Sequence, residues 1–153
     1  MVKHFLKIFS TFFYIGYLPF IPGTFGSLAG LLLFILLKGM SVQYISLTGL
    51  IILVGFLVCG RVEKIMQRKD PPCIIIDEVA GMMLSLIFLP YDLKLAFTGF
   101  IIFRILDTLK PFPAGRLEKK NSGGAIMLDD LVAGLYTNII LQVALRVISF
   151  KAS

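Results

Sequence analysis

The chain contains one histidine, no tryptophan and two cysteines, and only 16% of its 153 residues are charged. Each shortage excludes something. His4 stands in a basic N-terminal segment beside Lys3 and Lys7, where it reads as an interfacial residue, so histidine-nucleophile phosphotransfer has no internal residue to use. Cys59 and Cys73 have neither CxxC spacing nor a histidine nearby, which makes them ordinary apolar or boundary cysteines. There is no DxDxT motif, GxSxG elbow, P-loop or DGxxAR…GxxxDxxxD pattern, so aspartyl-phosphate, serine-hydrolase, nucleotide-cradling and CDP-alcohol transfer chemistries are set aside. Carboxylates, basic residues and any metal they hold are what remains.

Apolar residues are what the chain has in abundance. They make up 58% of it, with a mean hydropathy of +0.92, against about 45–50% apolar in an average soluble domain. The composition indicates an integral membrane protein, and the length suits a single domain over residues 1–153. No small-residue cleavage site follows Lys3 and Lys7, so the N-terminus is expected to be retained. The net charge of +6 is assigned to the lipid headgroup layer rather than to nucleic acid.

The hydrophobic pattern predicts an all-α fold: a compact polytopic bundle of about four to five membrane-spanning helices preceded by an interfacial helix. Phe5, Phe9, Phe12 and Phe13 recur at helical spacing beside the lysines, which places an amphipathic interfacial helix within residues 1–20. Pro19 and Pro22 then break the chain, and residues 21–150 form the bundle. Its expected spans are Gly26–Leu37, Val42–Cys59, Ile74–Leu89, Leu93–Leu109 and Ile126–Ile148, the second of them long enough for a hydrocarbon core of about 30 Å.

Lysine and arginine set the orientation. One loop carries Arg61, Lys64, Arg68 and Lys69, another Lys110, Arg116, Lys119 and Lys120, while the intervening turns carry Lys38 and Lys94. Both rich loops and the N-terminus are therefore expected in the cytoplasm. Arg146 and Lys151 then fall outside, which leaves open a re-entrant last segment or a different span count. In this layout "PGT", "DE", "RILD" and "DD" all arrive at one cytoplasmic depth.

Asp77, Glu78, Asp107, Asp129 and Asp130 are thus gathered at one membrane edge. Carboxylates so placed repel one another unless protonated, paired or bridged by metal. Hard oxygen donors of this kind suit Mg²⁺. The plainer reading is that acids at helix starts complement the dipole, by about 0.3–1 kcal/mol each, and cap free N–H groups. That covers one residue of each pair but not Asp107, which ends its helix. Arg104, Asp107 and Lys110 share a helix face at i, i+3 and i+6, either as an ion-pair ladder or with Arg104 and Lys110 receiving a phosphate oxygen. Thr24 and Ser27, opening a helix after "IPG", make a possible anion site. Gly23, Gly26 and Gly30 permit close helix packing, and "NSGGAIM" suits a hinge or tight turn.

The segments "PGTFGSLAG", "KDPPCIIIDEVAGMM", "FRILDTLKPFPAGRLE" and "SGGAIMLDDLVAGLY" closely resemble those of the bacterial phosphatidylglycerophosphatase A family, in order, from about Ile21 to Tyr136. The resemblance implies a Mg²⁺-dependent multi-pass enzyme of the bacterial inner (cytoplasmic) membrane. It would hydrolyse the terminal phosphate of phosphatidylglycerophosphate to give phosphatidylglycerol, with its site facing the cytoplasm. It also implies that Asp77, Glu78, Asp107, Asp129 and Asp130 are the catalytic and metal-binding acids, with Thr24, Arg104 and Lys110 as polar companions. Phe112 stands where tryptophan is common in the family, and Ser122 where some members carry histidine. Whether water or a carboxylate attacks stays open, as does the oligomeric state. Two rival classes are a cation or proton carrier built on the same acids and a non-catalytic subunit that binds anionic lipid through its basic loops.

Overall fold

The architecture was read from a computed structural model that describes residues 2–69, 71–110, 112 and 123–152. Among these residues there are six α-helices and no strand: α1 (Val2–Ser10), α2 (Pro22–Leu36), α3 (Ser41–Met66), α4 (Ile76–Ser85), α5 (Leu93–Leu109) and α6 (Gly123–Ala152). The expected Arg116, Lys119, Lys120, Asn121 and Ser122 features lie outside the described residues.

Among the described residues two helices are long and apolar enough to cross a membrane, Ser41–Met66 and Gly124–Val147. Their outward faces are oily: Leu50, Leu53 and Leu57 on α3, and Ile139, Ile140, Val143 and Val147 on α6, are exposed. Such rows suit lipid contact better than water. At 15 and 17 residues, α2 and α5 are shorter than the roughly 20 residues of a full crossing. Helix α6 runs unbroken, so the last segment does not turn back, and Gly123 and Gly124 are helical rather than a hinge.

The third expected span, Ile74–Leu89, holds a helix of only 10 residues. Helix α4 is the centre of the bundle, packed chiefly between α2 and α6, and Val79, Ala80, Met82 and Met83 are fully buried. It stops early because Phe88 adopts a left-handed φ of 60° and Pro90 restricts the residue before it. Its last carbonyls, orphaned by the helix end, all find donors. Ser85 Oγ donates to the Met82 oxygen at 2.7 Å, Tyr44 Oη to the Met83 oxygen at 2.7 Å, and the Ile87 N–H to the Leu84 oxygen at 3.2 Å. Asn138 Nδ2 donates to the Ser85 and Ile87 oxygens at 3.1 and 2.8 Å.

The N-terminal segment departs from one continuous interfacial helix. Helix α1 ends at Ser10, and Phe12, Phe13 and Tyr14 take left-handed φ values of 44°, 58° and 68°. This breaks the helical phase. Phe5, Phe9 and Phe13 stay exposed, while Phe12 is half-buried against the core. The Ile75 N–H donates to the Ser10 oxygen at 3.0 Å, tying this segment to the approach to α4.

Candidate active site

The starts of α2, α4 and α6 and the end of α5 lie at one end of the bundle, as helices that reverse direction in turn require. Helix α4 begins Ile76-Asp77-Glu78, so both acids stand in its first turn, where the helix dipole favours an anion. One oxygen from each of Asp77, Glu78 and Asp130 lies within 4.8 Å of the other two. Asp77, Asp129 and Asp130 are each 5% exposed. Glu78 Oε2 and Asp130 Oδ2 are buried and have no hydrogen-bond partner among the described residues. Buried carboxylate oxygens left this way are costly, and three converging hard donors are what a divalent cation such as Mg²⁺ takes. The residues present fit the metal.

The triad opens on a cavity of about 260 Å³ lined by Asp77, Glu78, Asp107, Lys110, Asp129 and Asp130, among others. All five acids predicted from the sequence thus reach one space. Two cations pair with acids of its wall. Arg104 Nη1 lies 2.7 Å from Asp107 Oδ2, and Lys110 Nζ lies 3.4 Å from Asp129 Oδ2. Arg104 pairs within its helix, whereas Lys110, at the left-handed C-cap of α5, reaches across to Asp129 on α6.

Ser27 is fully buried; its hydroxyl donates to the Gly23 oxygen at 2.9 Å and accepts from Arg104 Nη1 at 3.3 Å. It reaches the cavity only through Arg104. Thr24 is half-buried and is not part of the cavity wall. The close packing expected of Gly23 and Gly26 is present: a Cβ at Gly23 would stand 2.5 Å from Glu78 Oε1, and one at Gly26 2.9 Å from the Ile75 oxygen.

Three features escaped the sequence reading. Thr108 lines the cavity, with its hydroxyl donating to the Arg104 oxygen at 2.8 Å. Asn138 ties α6 to the end of α4. The third was visible as letters: Asp77–Gly81 and Asp130–Gly134 both read Asp-x-Val-Ala-Gly. The two helices run side by side in the same direction, and their glycines meet. A Cβ on Gly81 would stand 2.6 Å from the Asp130 carbonyl oxygen, and one on Gly134 would strike the Gly81 carbonyl.

Comparison with known proteins gives the family. The family model described as phosphatidylglycerophosphatase A matches residues 8–145. The chain is 39% identical to the phosphatidylglycerophosphatase A of Escherichia coli K12, over 82% of this chain and 75% of that protein. It is 36% identical to that of Haemophilus influenzae, over 78% and 76%. A Bacteroides thetaiotaomicron protein provisionally named phosphatidylinositol-3-phosphatase is 29% identical, over 87% and 89%. No solved structure matches the chain significantly. With the family model covering most of its length and the acids of those motifs converging on one cavity, the chain belongs to the phosphatidylglycerophosphatase A family of phosphatases.

Proposed function

We propose that this protein hydrolyses the terminal phosphate monoester of phosphatidylglycerophosphate, releasing phosphate and phosphatidylglycerol, in a Mg²⁺-dependent reaction at the cytoplasmic face of a bacterial inner membrane. The observation that carries the reading is the Asp77–Glu78–Asp130 triad, with two buried, unpartnered oxygens, beside the Arg104 and Lys110 cations. Family membership supports the substrate, and the apolar rows on α3 and α6 support the bilayer.

Asp77, Glu78 and Asp130 would hold Mg²⁺, which would supply neutralisation of the dianionic monoester and electrophilic activation at phosphorus. Arg104 and Lys110 take the non-bridging phosphate oxygens and stabilise the charge that develops on them. Asp107 and Asp129 hold those two cations at the rim. A water oxygen attacks phosphorus in line, the bond from phosphorus to the glycerol oxygen breaks, and the departing alkoxide takes up a proton. One of the two rim carboxylates is placed to accept the water's proton. Acyl chains stay among the apolar outer faces, so recognition rests on the headgroup.

The carrier reading fits the structure less well. Its acids should extend through the bundle, whereas Asp92, at the opposite end, is occupied as the cap of α5, accepting from the Leu95 N–H at 2.7 Å. The test is phosphate release by purified protein from phosphatidylglycerophosphate, with and without Mg²⁺, and with phosphatidylinositol 3-phosphate for comparison. Mg²⁺-dependent release from the first substrate supports the proposal. Release unaffected by removing Mg²⁺, or none from phosphatidylglycerophosphate, would overturn it.

A further inference from the structure

We infer that Asn138 is a positioning residue: it sets the register of α6 against α4 and thereby the spacing of the Asp77, Glu78 and Asp130 carboxylates. The inference rests on reading those three acids as the metal site, and adds to it how they come to be spaced correctly.

Helices α4 and α6 carry matched rows of residues. Asp77, Gly81 and Ser85 follow one another at four-residue steps on α4; Asp130, Gly134 and Asn138 do the same on α6. Residues four apart lie on one helix face, so the two rows face each other rung by rung. The acids meet at the first rung, and the glycines touch at the second. At the third, the Asn138 amide donates to the Ser85 oxygen at 3.1 Å and also to the Ile87 oxygen at 2.8 Å. Each arm from the third rung to the acids is eight residues, roughly 12 Å of helix.

Glycine contact alone does not fix register, because smooth small-residue faces can slide. A bidentate amide held at the far end removes that freedom. Asn138 is itself buried at 6% exposure, and its Oδ1 accepts from Gln142 Nε2 at 2.7 Å. Its side-chain polar atoms are therefore all engaged, and the amide is held in one orientation.

Tyr44 supplies the comparison. It also donates to the end of α4, at Met83, but from α3, which brings no acid to the triad. If Asn138 merely satisfied carbonyls, loss of Tyr44 Oη and loss of the Asn138 amide would have the same consequences. If Asn138 sets register, only its loss disturbs the metal site.

The experiment uses the full-length protein in lipid nanodiscs: wild type, Asn138→Leu, Asn138→Ser and Tyr44→Phe. Mn²⁺ affinity is measured by electron paramagnetic resonance, and thermal unfolding is followed without metal. Asn138→Ser keeps one donor and supplies a reading if Asn138→Leu does not fold. The Asn138 variants are expected to weaken Mn²⁺ binding roughly ten- to hundredfold, as the loss of groups that orient metal ligands does, with Tyr44→Phe within about twofold of wild type. Wild-type affinity in the Asn138 variants, or an equal loss in Tyr44→Phe, overturns the inference and leaves the metal site standing. Wild-type protein that binds no Mn²⁺ overturns the metal-site reading, and the inference with it.

Discussion

Arg104 Nη1 lies 2.7 Å from Asp107 Oδ2, one helical turn further along α5, and also donates to Ser27 on α2 at 3.3 Å. The guanidinium is held by an acid on one side and a hydroxyl on the other, and that acid lines the cavity shared by Asp77, Glu78 and Asp130. In the proposed mechanism Asp107 would act on the substrate through the arginine it holds.

Removing that hold should affect substrate before metal. Asp107→Asn and Arg104→Lys are expected to raise KM for phosphatidylglycerophosphate by roughly ten- to hundredfold, since hydrogen bonds to charged groups contribute about 1.5–3 kcal/mol. Lysine keeps the charge but not the planar fork. Mn²⁺ affinity, measured alongside, should stay near wild type in both.

The triad should behave in the opposite way. Asp130→Asn is expected to lose Mn²⁺ binding and to lower phosphate release by more than about a hundredfold, the scale on which charge-stabilising groups act in catalysis. Asp129→Asn, outside the triad, should lose turnover while still binding Mn²⁺. Isothermal titration beside the phosphate assay separates the two. Equal Mn²⁺ affinity in both variants would contradict the division between metal holder and cation holder.

The glycine contact gives a stability prediction with its own control. Gly134→Ala would drive a methyl into the Gly81 carbonyl, and Gly81→Ala would bring one to 2.6 Å from the Asp130 carbonyl oxygen. Backbone on both sides leaves little room to yield, so each should destabilise by about 1–3 kcal/mol. Gly49, within α3, has nothing within 4 Å of such a methyl, and Gly49→Ala should be neutral or stabilise by up to about 1 kcal/mol through helix propensity. Thermal unfolding in detergent measures all three.

Orientation can be read by chemical labelling. Lys38 and Arg68 are both exposed, and lie at opposite ends of α2 and α3. In a background with Cys59 and Cys73 replaced, Arg68→Cys should react with an impermeant maleimide only in inverted vesicles, and Lys38→Cys only in spheroplasts. The reverse pattern would place the acid cavity outside.

The gathering of the five acids was legible in the sequence because it follows from alternation alone: helices that reverse direction return every other end to the same side. The extent of α4 was not legible. The hydropathy of Ile74–Leu89 is that of a full span, and the groups that let the helix end early come from Tyr44 and Asn138, separated from their acceptors by 39 and 53 positions. Phe12 escaped for a local reason, since helical spacing predicts a face only while the backbone stays helical. The doubled Asp-x-Val-Ala-Gly is plain in the sequence, but two copies of a motif reveal nothing about contact until the helices are known to lie parallel.

The brevity of α4 has a consequence for how the protein is made. Ten residues of helix span about 15 Å, roughly half the hydrocarbon thickness, and free carbonyls in lipid are unfavourable. Tyr44 has already been synthesised when α4 emerges from the ribosome, but Asn138 and Asp130 have not. Until α6 arrives, α4 lacks one wall, two of its hydrogen bonds and the third acid of the cluster. A chain truncated before α6 would leave α4 with unsatisfied carbonyls, and the three acids would come together only once α6 is in place.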